Sequence, residues 1–530
     1  MSPFSLFPEP LNTANQLDFA LPEEQDFPGL IALLQNNFNV RPHNETVSHR
    51  IFYDTFDWLL YNNGAVLEVH EDEQCRKVYW RENKNAKLRI QLGISQVPHL
   101  ASELPECEFR KQLQSVISVR ELTPRIKIKI KRLPLTIVDN HEKVVVRIYL
   151  DEHWYYPSKT RAGSMLGRRV TVKPVKGFRE AYEKVENFFL PMDFRSVQDN
   201  MLKLALAESG ISTTEYSTKL NLFLDLDMPA EEAMKAILLR LLEIMQQNTA
   251  GAIKGTDTEF MHDYRVAIRK TRSALAQIRQ VLPDNILADN KNFFSGLSKL
   301  TTPVRDLDVF LIKLDSYQRD LKKSEKDDLR PLHQYLLQAR ADAQKDFVHR
   351  VKSAEYHESI RKWREYLDNN APAMPPLENS ATPIHKLSNK MIRDLYQLAL
   401  EEGNAITDTS EAAALHELRK TCKKLRYLME FFQSLYPARE ILELIEALKV
   451  LQDNLGDFND FHVHSGILNA YIEQSSNVDT VHACNKLIKV LEKKQIKTRG
   501  KFAESYTAFS DINTQNEFKE LFADSRQAQE

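Results

Sequence analysis

No CxxC pair, no uninterrupted apolar stretch of membrane-spanning length and no glycine-rich phosphate loop occurs in the 530 residues of this chain. Its four cysteines, Cys75, Cys107, Cys422 and Cys484, are far apart and have no histidine at zinc-ligand spacing. That argues against a disulfide framework and a structural zinc, and leaves inert buried thiols as the expectation. The apolar runs are broken by charge, so no membrane span is expected, and MSPFSLFPEP lacks the basic and apolar regions of a secretory signal. A cytoplasmic location is the simplest expectation. GxSxG, GxxxxGK[ST] and HExxH are absent, which removes the nucleophile elbow, the P-loop and the zinc-protease helix. Neither charge is in excess: 72 Lys and Arg stand against 74 Asp and Glu, a net of −2. Proteins that coat nucleic acid indiscriminately are strongly basic, so any anion site here must be a local patch.

What is present is a basic, histidine-led segment that occurs twice. His262, Arg265, Arg269, Lys270 and Arg272 recur 154 residues later as His416, Arg419, Lys423, Lys424 and Arg426. On a helix turning about 100° per residue, offsets of 0, +3, +7 and +10 fall within about 80° of one another, so each copy predicts a cationic stripe. Like charges at helical neighbours repel, and something anionic is needed to offset them. The duplication is wider than the stripe. Asp306 lies 44 residues after His262 and Asp460 lies 44 after His416, while Pro229 and Pro383, 154 apart, each open an apolar helical pattern. Self-similarity at a fixed period argues for two homologous halves.

Residues 1–205 and 225–530 read differently. The first part carries period-2 segments at 66–69, 88–92, 125–130, 144–150 and 169–175 and helical intervals at 27–37 and 178–190, which predicts an antiparallel sheet or barrel. Beyond 225 the period is helical, interrupted strongly only at the proline-bearing stretch 369–383. Long charged helices are expected at 321–368 and 482–507, with most of their Lys and Glu solvated. The expected layout is a β-rich domain at 1–205, a linker at 206–224, helical repeats at 225–376 and 377–515, and a tail at 516–530. The fold class is multi-domain α+β: an antiparallel β tunnel or barrel, then an all-α two-repeat helical bundle.

The segments HDYRVAIRKTRSAL and LHELRKTCKKLRYLME, each followed by an acidic stretch expected as a loop (VRDLDVF and LGDFNDFHV), resemble the conserved histidine α-helical domain, CHAD, over about residues 225–515. The resemblance implies two similar bundles whose basic helices line a positively charged pore or groove that binds inorganic polyphosphate, with association with polyphosphate granules. Carried over position by position, the polyphosphate-binding residues are His262, Arg265, Arg269, Lys270, Arg272, His416, Arg419, Lys423, Lys424 and Arg426, with Lys420 flanking the second set. The chemistry agrees. A row of Lys and Arg gains by neutralising a phosphate chain and releasing its counterions, and guanidinium grips two phosphate oxygens where Lys supplies a mobile point charge. Two plainer readings stand beside this one. The histidines would be structural groups at helix starts, and the stripes would be solvated or paired with Asp306, Asp308 and Asp460.

Tyr53-Asp54-Thr55-Phe56-Asp57-Trp58-Leu59-Leu60, followed by Gly64-Ala65-Val66-Leu67, resembles the CYTH or triphosphate-tunnel superfamily over about residues 10–205. The resemblance implies a tunnel in which alternating Lys and Arg hold a triphosphate and alternating Glu hold Mg²⁺ or Mn²⁺. At the carboxylate positions this chain departs from that pattern. Gln16-Leu17-Asp18-Phe19-Ala20 keeps one acid, Arg169-Val170-Thr171-Val172-Lys173 before Gly177 keeps none, and Glu68 and His70 stand where an inward basic strand is expected. Hard divalent cations need several oxygen ligands. No metal ligand, catalytic residue or cofactor is therefore assigned. Arg125, Lys127, Lys129 and Lys131 alternate along one strand and are the candidate anion-binding face of the tunnel, the plainer reading being an edge kept basic against aggregation.

The leading expectation is a polyphosphate-binding pseudoenzyme. Its rivals are a metal-dependent inorganic triphosphatase or polyphosphatase, which would bring in Mg²⁺ or Mn²⁺, and an adaptor binding nucleic acid or phosphoprotein. Nucleic acid is disfavoured, because no aromatic residues interleave the basic stripes to stack bases.

Overall fold

The computed structural model describes residues 6–8, 16–22, 24–72, 75–83, 88–157, 163–192, 194–196, 201–214, 216–369, 376–407 and 409–523. The chain divides into two compact units, Met1–Ser217 and Thr218–Glu530.

The first unit is built on strands β1 (Leu6–Pro8), β2 (Leu17–Leu21), β3 (Val40–Pro42), β4 (Thr46–Asp54), β5 (Ala65–Glu71), β6 (Arg76–Glu82), β7 (Leu88–Ile94), β8 (Thr123–Val138), β9 (Val144–Tyr155), β10 (Ser164–Pro174) and β11 (Arg195–Ser196). They pair antiparallel in the order β1-β7-β6-β5-β4-β8-β9-β10-β2-β11, with β3 on β8. Alternation sorts side chains to two faces. Leu67 and Val69, Val78 and Trp80, Ile148 and Leu150, and Val170 and Val172 are buried. Helices Phe27–Asn37 and Arg179–Phe189 cover β9 and β10, and Glu108–Ile117 covers β5 and β6. Burying a side chain of this size stabilises by about 1.5–3 kcal/mol. The other face is charged and lines a cavity of about 460 Å³. Asp18 on β2 and Tyr79 on β6, far apart in strand order, both border it, so the sheet curls around its polar face.

The second unit is helical, and its elements keep the repeat. Helices Ala230–Lys254, Thr258–Gln277 and Asp284–Tyr317 begin 154 residues before Ile384–Asn404, Ala412–Phe432 and Ala438–Gln474. The two copies are clasped where they start. Ala230 N–H donates to the Thr382 carbonyl and Ile384 N–H to the Met228 carbonyl, both at 2.9 Å, and Pro229 bridges Pro383. Each bond maps onto the other under the 154-residue shift, so the clasp is a local pseudo-two-fold. The first halves of the long helices Asp284–Tyr317 and Ala438–Gln474 pack into a large core built from both repeats. Their second halves join a separate cluster through Phe310, Leu314, Phe461 and Leu468.

Three expectations change. VRDLDVF and LGDFNDFHV are not loops but lie inside the long helices, and Pro303 is accommodated within the first of them. Proline removes one backbone donor and disfavours a helix interior; here Thr301 and Thr302 hydroxyls donate to the Leu297 and Ser298 carbonyls just before it. The charged stretch 321–368 is broken into Lys323–Asp328, Arg330–Val351 and Ala354–Asp368, with Pro331 at the start of the second and the Ser353 hydroxyl capping the third by accepting Tyr356 N–H. The stretch 482–507 divides between Val478–Gly500 and Phe502–Ser510. Helix Met201–Ser209 runs into the expected linker, and Ile512–Leu521 into the expected tail. Among the described residues no helix is long and apolar enough to cross a membrane.

Candidate functional site

In the second unit the two basic helices, Thr258–Gln277 and Ala412–Phe432, pack against each other. Arg265 and Arg419 are equivalent under the 154-residue shift, as are Arg269 and Lys423. All four converge. Burial pushes the Lys423 ammonium down to about 6, and repulsion from Arg269, Arg419, Arg426 and Arg265 adds to it. Burial, followed by Arg269, takes the Arg265 guanidinium down to about 10, with Asp306 opposing. Arg419 is lowered chiefly by burial, with Asp460 opposing. Asp306 and Asp460, again equivalent, stand at the edge of this centre; burial raises the Asp306 carboxyl against the pull of Arg265.

These aspartates do not neutralise the cations by contact. Asp460 receives Lys313 Nζ at 2.8 Å, and Asp308 receives Arg340 Nε at 3.0 Å. Arg265 instead donates to the Ser298 carbonyl at 3.2 Å and the Thr302 hydroxyl at 2.6 Å, on the turn that precedes Pro303. Arg269 Nε and Arg419 Nε are buried without a hydrogen-bond partner among the described residues. A buried donor left without an acceptor costs about 1–3 kcal/mol, so the centre holds positive charge that the described residues do not compensate.

The other residues of the stripes lie outside it. Lys270 is 9% exposed and reaches across to Glu430 at 2.8 Å, where Arg426 Nε also stands at 3.3 Å. Arg272 is exposed and donates to the Ser298 hydroxyl; Lys424 is exposed; Lys420 pairs with Glu417 at 2.8 Å. His262 is half-buried, and His416, exposed at its helix start, has Nδ1 3.1 Å from Asn459 Oδ1. Two members of this neighbourhood stand outside the repeated pattern. Tyr427 lies beneath Arg426 and Lys270, 5.7 and 6.0 Å from its ring centre, and Glu430 links the two helices. Their offsets on the second helix are legible in the sequence, but which helix faces them is not.

The cavity of the first unit has a different balance. From β8 its lining takes Ile130 and Arg132, the side opposite Lys127, Lys129 and Lys131. Arg125 lies over Trp58 at 4.8 Å and Lys131 over Trp154 at 5.5 Å. The alternating row therefore does not supply the lining. Period 2 defines two faces without saying which is inward. The cavity cations are Arg50, Lys77, Arg81, Arg132 and Arg169, facing Asp18, Glu71, Asp72 and Asp151. Asp18 and His70, expected on inward strands, do line it.

The acids of the polar face, in the lining and behind it, are already engaged. Glu68 is fully buried and accepts from Arg50 Nε at 2.5 Å and Arg81 Nε at 2.6 Å. Burial alone would raise its carboxyl, but Arg50, His70 and Arg81 hold it far below the ordinary range. Asp151 takes a bidentate grip from Arg132, 2.7 Å at each oxygen, and Asp18 accepts the Thr171 hydroxyl at 2.6 Å. Among the described residues no three His, Cys, Asp or Glu side chains are grouped as metal ligands. Mg²⁺ or Mn²⁺ does not fit this donor set, because hard cations need several free oxygens and here guanidinium groups hold Glu68, Glu71 and Asp151 while Asp18 accepts from Thr171.

The Tyr53–Leu60 motif serves the fold. Asp54 accepts N–H from Thr55, Leu60 and Tyr61 at 2.7, 2.9 and 2.9 Å, and Thr55 Oγ1 accepts Leu59 N–H, which builds the turn into helix Leu59–Asn62 with Trp58 at φ 57°. Burial raises the Asp54 carboxyl to about 6 despite these donors.

The architecture is thus a curled antiparallel sheet joined to a duplicated helical unit with a cationic centre. Residues 236–469, within the second unit, match the family model of the CHAD domain. Among solved structures, the CHAD domain of the plant Ricinus communis is 24% identical, with 55% of this chain and 95% of that one covered at a TM-score of 0.46. PptA from Streptomyces chartreusis is 13% identical, covering 53% and 100% at 0.43. The first unit is similar to a putative adenylyl cyclase from Hippeastrum, HpAC1, described as having a dominant triphosphatase activity: 12% identity, 38% and 99% covered, TM-score 0.24. No curated protein matches the chain.

Proposed function

We propose that the chain binds inorganic polyphosphate at the paired basic helices of the second unit, and that its first unit holds its charges in internal pairs and does not hydrolyse phosphate. The observation that carries the binding half is the convergence of Arg265, Arg269, Arg419 and Lys423, two from each repeat, without an ion-pair partner within 4 Å among the described residues. A polyanion supplies the missing counter-charge and, being a chain, spans both repeats. For the first unit, the guanidinium grip on Glu68 and Asp151 leaves too few carboxylate oxygens for metal-assisted chemistry.

Calorimetric titration with long-chain polyphosphate at two salt concentrations, with released phosphate assayed with and without Mn²⁺, tests both halves. Saturable binding that weakens with salt is expected, together with its loss when Arg265, Arg269, Arg419 and Lys423 are replaced by Ala. Binding untouched by those replacements sinks the site assignment. Phosphate release above background sinks the non-catalytic half.

A further inference from the structure

Duplication makes each repeat a control for the other, and the two differ beside the cationic centre. In the second repeat a cavity of about 450 Å³ opens between the basic helix and the long helix that follows it, lined by Ala413, His416 and Arg419 on one side and Leu455, Phe458 and Asn459 on the other. The 154-residue shift maps Ala413 and Asn459 onto Glu259 and Arg305. In the first repeat these two side chains meet in an ion pair at 3.4 Å. A place occupied by paired charges in one copy is open in the other.

The arginines at the equivalent positions differ as well. Arg265 is tied to the Ser298 carbonyl and the Thr302 hydroxyl, whereas Arg419 borders the cavity with a buried Nε that has no hydrogen-bond partner among the described residues. At the helix starts, the Asp257 carboxylate accepts Glu259 N–H at 2.8 Å, while Glu411, its counterpart, makes no side-chain cap bond. The second copy thus lacks both the filling pair and the side-chain cap bond, and has an arginine whose Nε is without an acceptor among the described residues.

We propose that this cavity receives the base of a nucleoside 5′-polyphosphate whose phosphate chain passes Arg419 into the cationic centre, an inference that rests on the polyphosphate-binding reading. Leu455 and Phe458 give the cavity an apolar wall, from which an inorganic phosphate chain gains nothing. A planar base presents apolar faces to such a wall and polar atoms at its edge. The Asn459 amide, positioned by His416 at 3.1 Å, offers a donor and an acceptor to that edge. Arg419 belongs to both cavity and centre, so one ligand can engage the two together.

The test titrates the full-length protein with ATP and with inorganic tripolyphosphate. Both carry three phosphates, and the inorganic chain carries the greater charge, so electrostatics alone favours it. ATP binding tighter by about tenfold is expected, in the range of one base stacked on a protein side chain. Ala413→Glu with Asn459→Arg imports the first repeat's ion pair with no change in net charge. It should abolish the preference and leave tripolyphosphate affinity within about twofold, as befits a compensated surface pair. Ala413→Leu, at an exposed helix position, narrows the cavity without new charge and should act alike even if the double variant folds poorly. ATP binding no tighter than tripolyphosphate overturns the proposal, and so does a preference that survives both variants. Failure of long-chain polyphosphate, titrated alongside, overturns the polyphosphate reading itself, whereas long-chain binding without an ATP preference overturns only the base site, so the two failures are distinguishable.

Discussion

Glu68 is fully buried and Lys423 half-buried, and their charges are handled in opposite ways. Arg50 and Arg81 close on the Glu68 carboxylate, so its ionised form is held by the fold. Removing one partner of a buried pair costs about 3–5 kcal/mol, because the remaining charges keep their desolvation penalty without compensation. Glu68→Ala is therefore expected to destabilise the first unit by an amount in that range, read by urea denaturation; a loss below about 1 kcal/mol would mean water already screens the pair. Because the folded carboxyl lies below its unfolded value of 4.5, this contribution is present above that pH and wanes as pH falls below it.

Lys423 has no such partner. Its folded value of about 6 lies below the unfolded one, so between the two the unfolded chain binds more protons and stability rises with pH. An anion in the centre favours the ammonium form, so binding above pH 6 takes up a proton. Polyphosphate affinity should increase as pH is lowered from about 8 towards 6, by at most about tenfold per pH unit for a single proton. Lys423→Met should remove that dependence, weaken binding and raise the stability of the ligand-free protein by about 1 kcal/mol or more. A pH profile identical in wild type and Lys423→Met would show that another group carries the proton.

At the scale of elements, the 154-residue shift relates helix starts, the clasp hydrogen bonds and the central cations alike. Arg265→Ala and Arg419→Ala should therefore each lower the dependence of log affinity on log salt by roughly one contact. Their effects on long-chain polyphosphate should be similar, since each helix supplies half of the centre. A large effect from one and none from the other would reduce the site to a single helix. Helical periodicity is local, so the repeated offsets group His262 to Arg272 and His416 to Arg426 into two stripes, and only the packing of the helices separates Arg265, Arg269, Arg419 and Lys423 from the rest. That Lys270 turns to Glu430 depends on which helix packs opposite, and no local pattern carries that information. The strands obey the same limit. Period 2 groups Lys127, Lys129 and Lys131 on one face, but burial of Ile126, Ile128 and Ile130 and the curl of the sheet decide which face of β8 turns inward. The inward Arg50, Lys77 and Arg81 come from β4 and β6, where no strand carries a basic row as long as that of β8 to single them out in the sequence.

For the whole molecule, the near balance of 72 cationic and 74 acidic side chains means that net charge supplies no attraction for a polyanion. Attraction must come from the few groups that meet the ligand, and salt then reports how many there are. Arg265, Arg269, Arg419 and Lys423 form the centre, with Lys423 requiring protonation to count. For a flexible single chain each neutralised phosphate contributes about −0.7 to the slope of log affinity against log salt, so about four contacts predict a slope of roughly −3. Exposed Lys420, Lys424 and Arg272 would steepen it only if the ligand wrapped the outside of the helices. Titrations between about 50 and 300 mM salt decide between these arrangements. A slope near −3 at about pH 6 that becomes shallower by about one contact at about pH 8 places the chain in the buried centre. A slope beyond about −6, insensitive to pH, would place it on the exposed faces and remove Lys423 from the site.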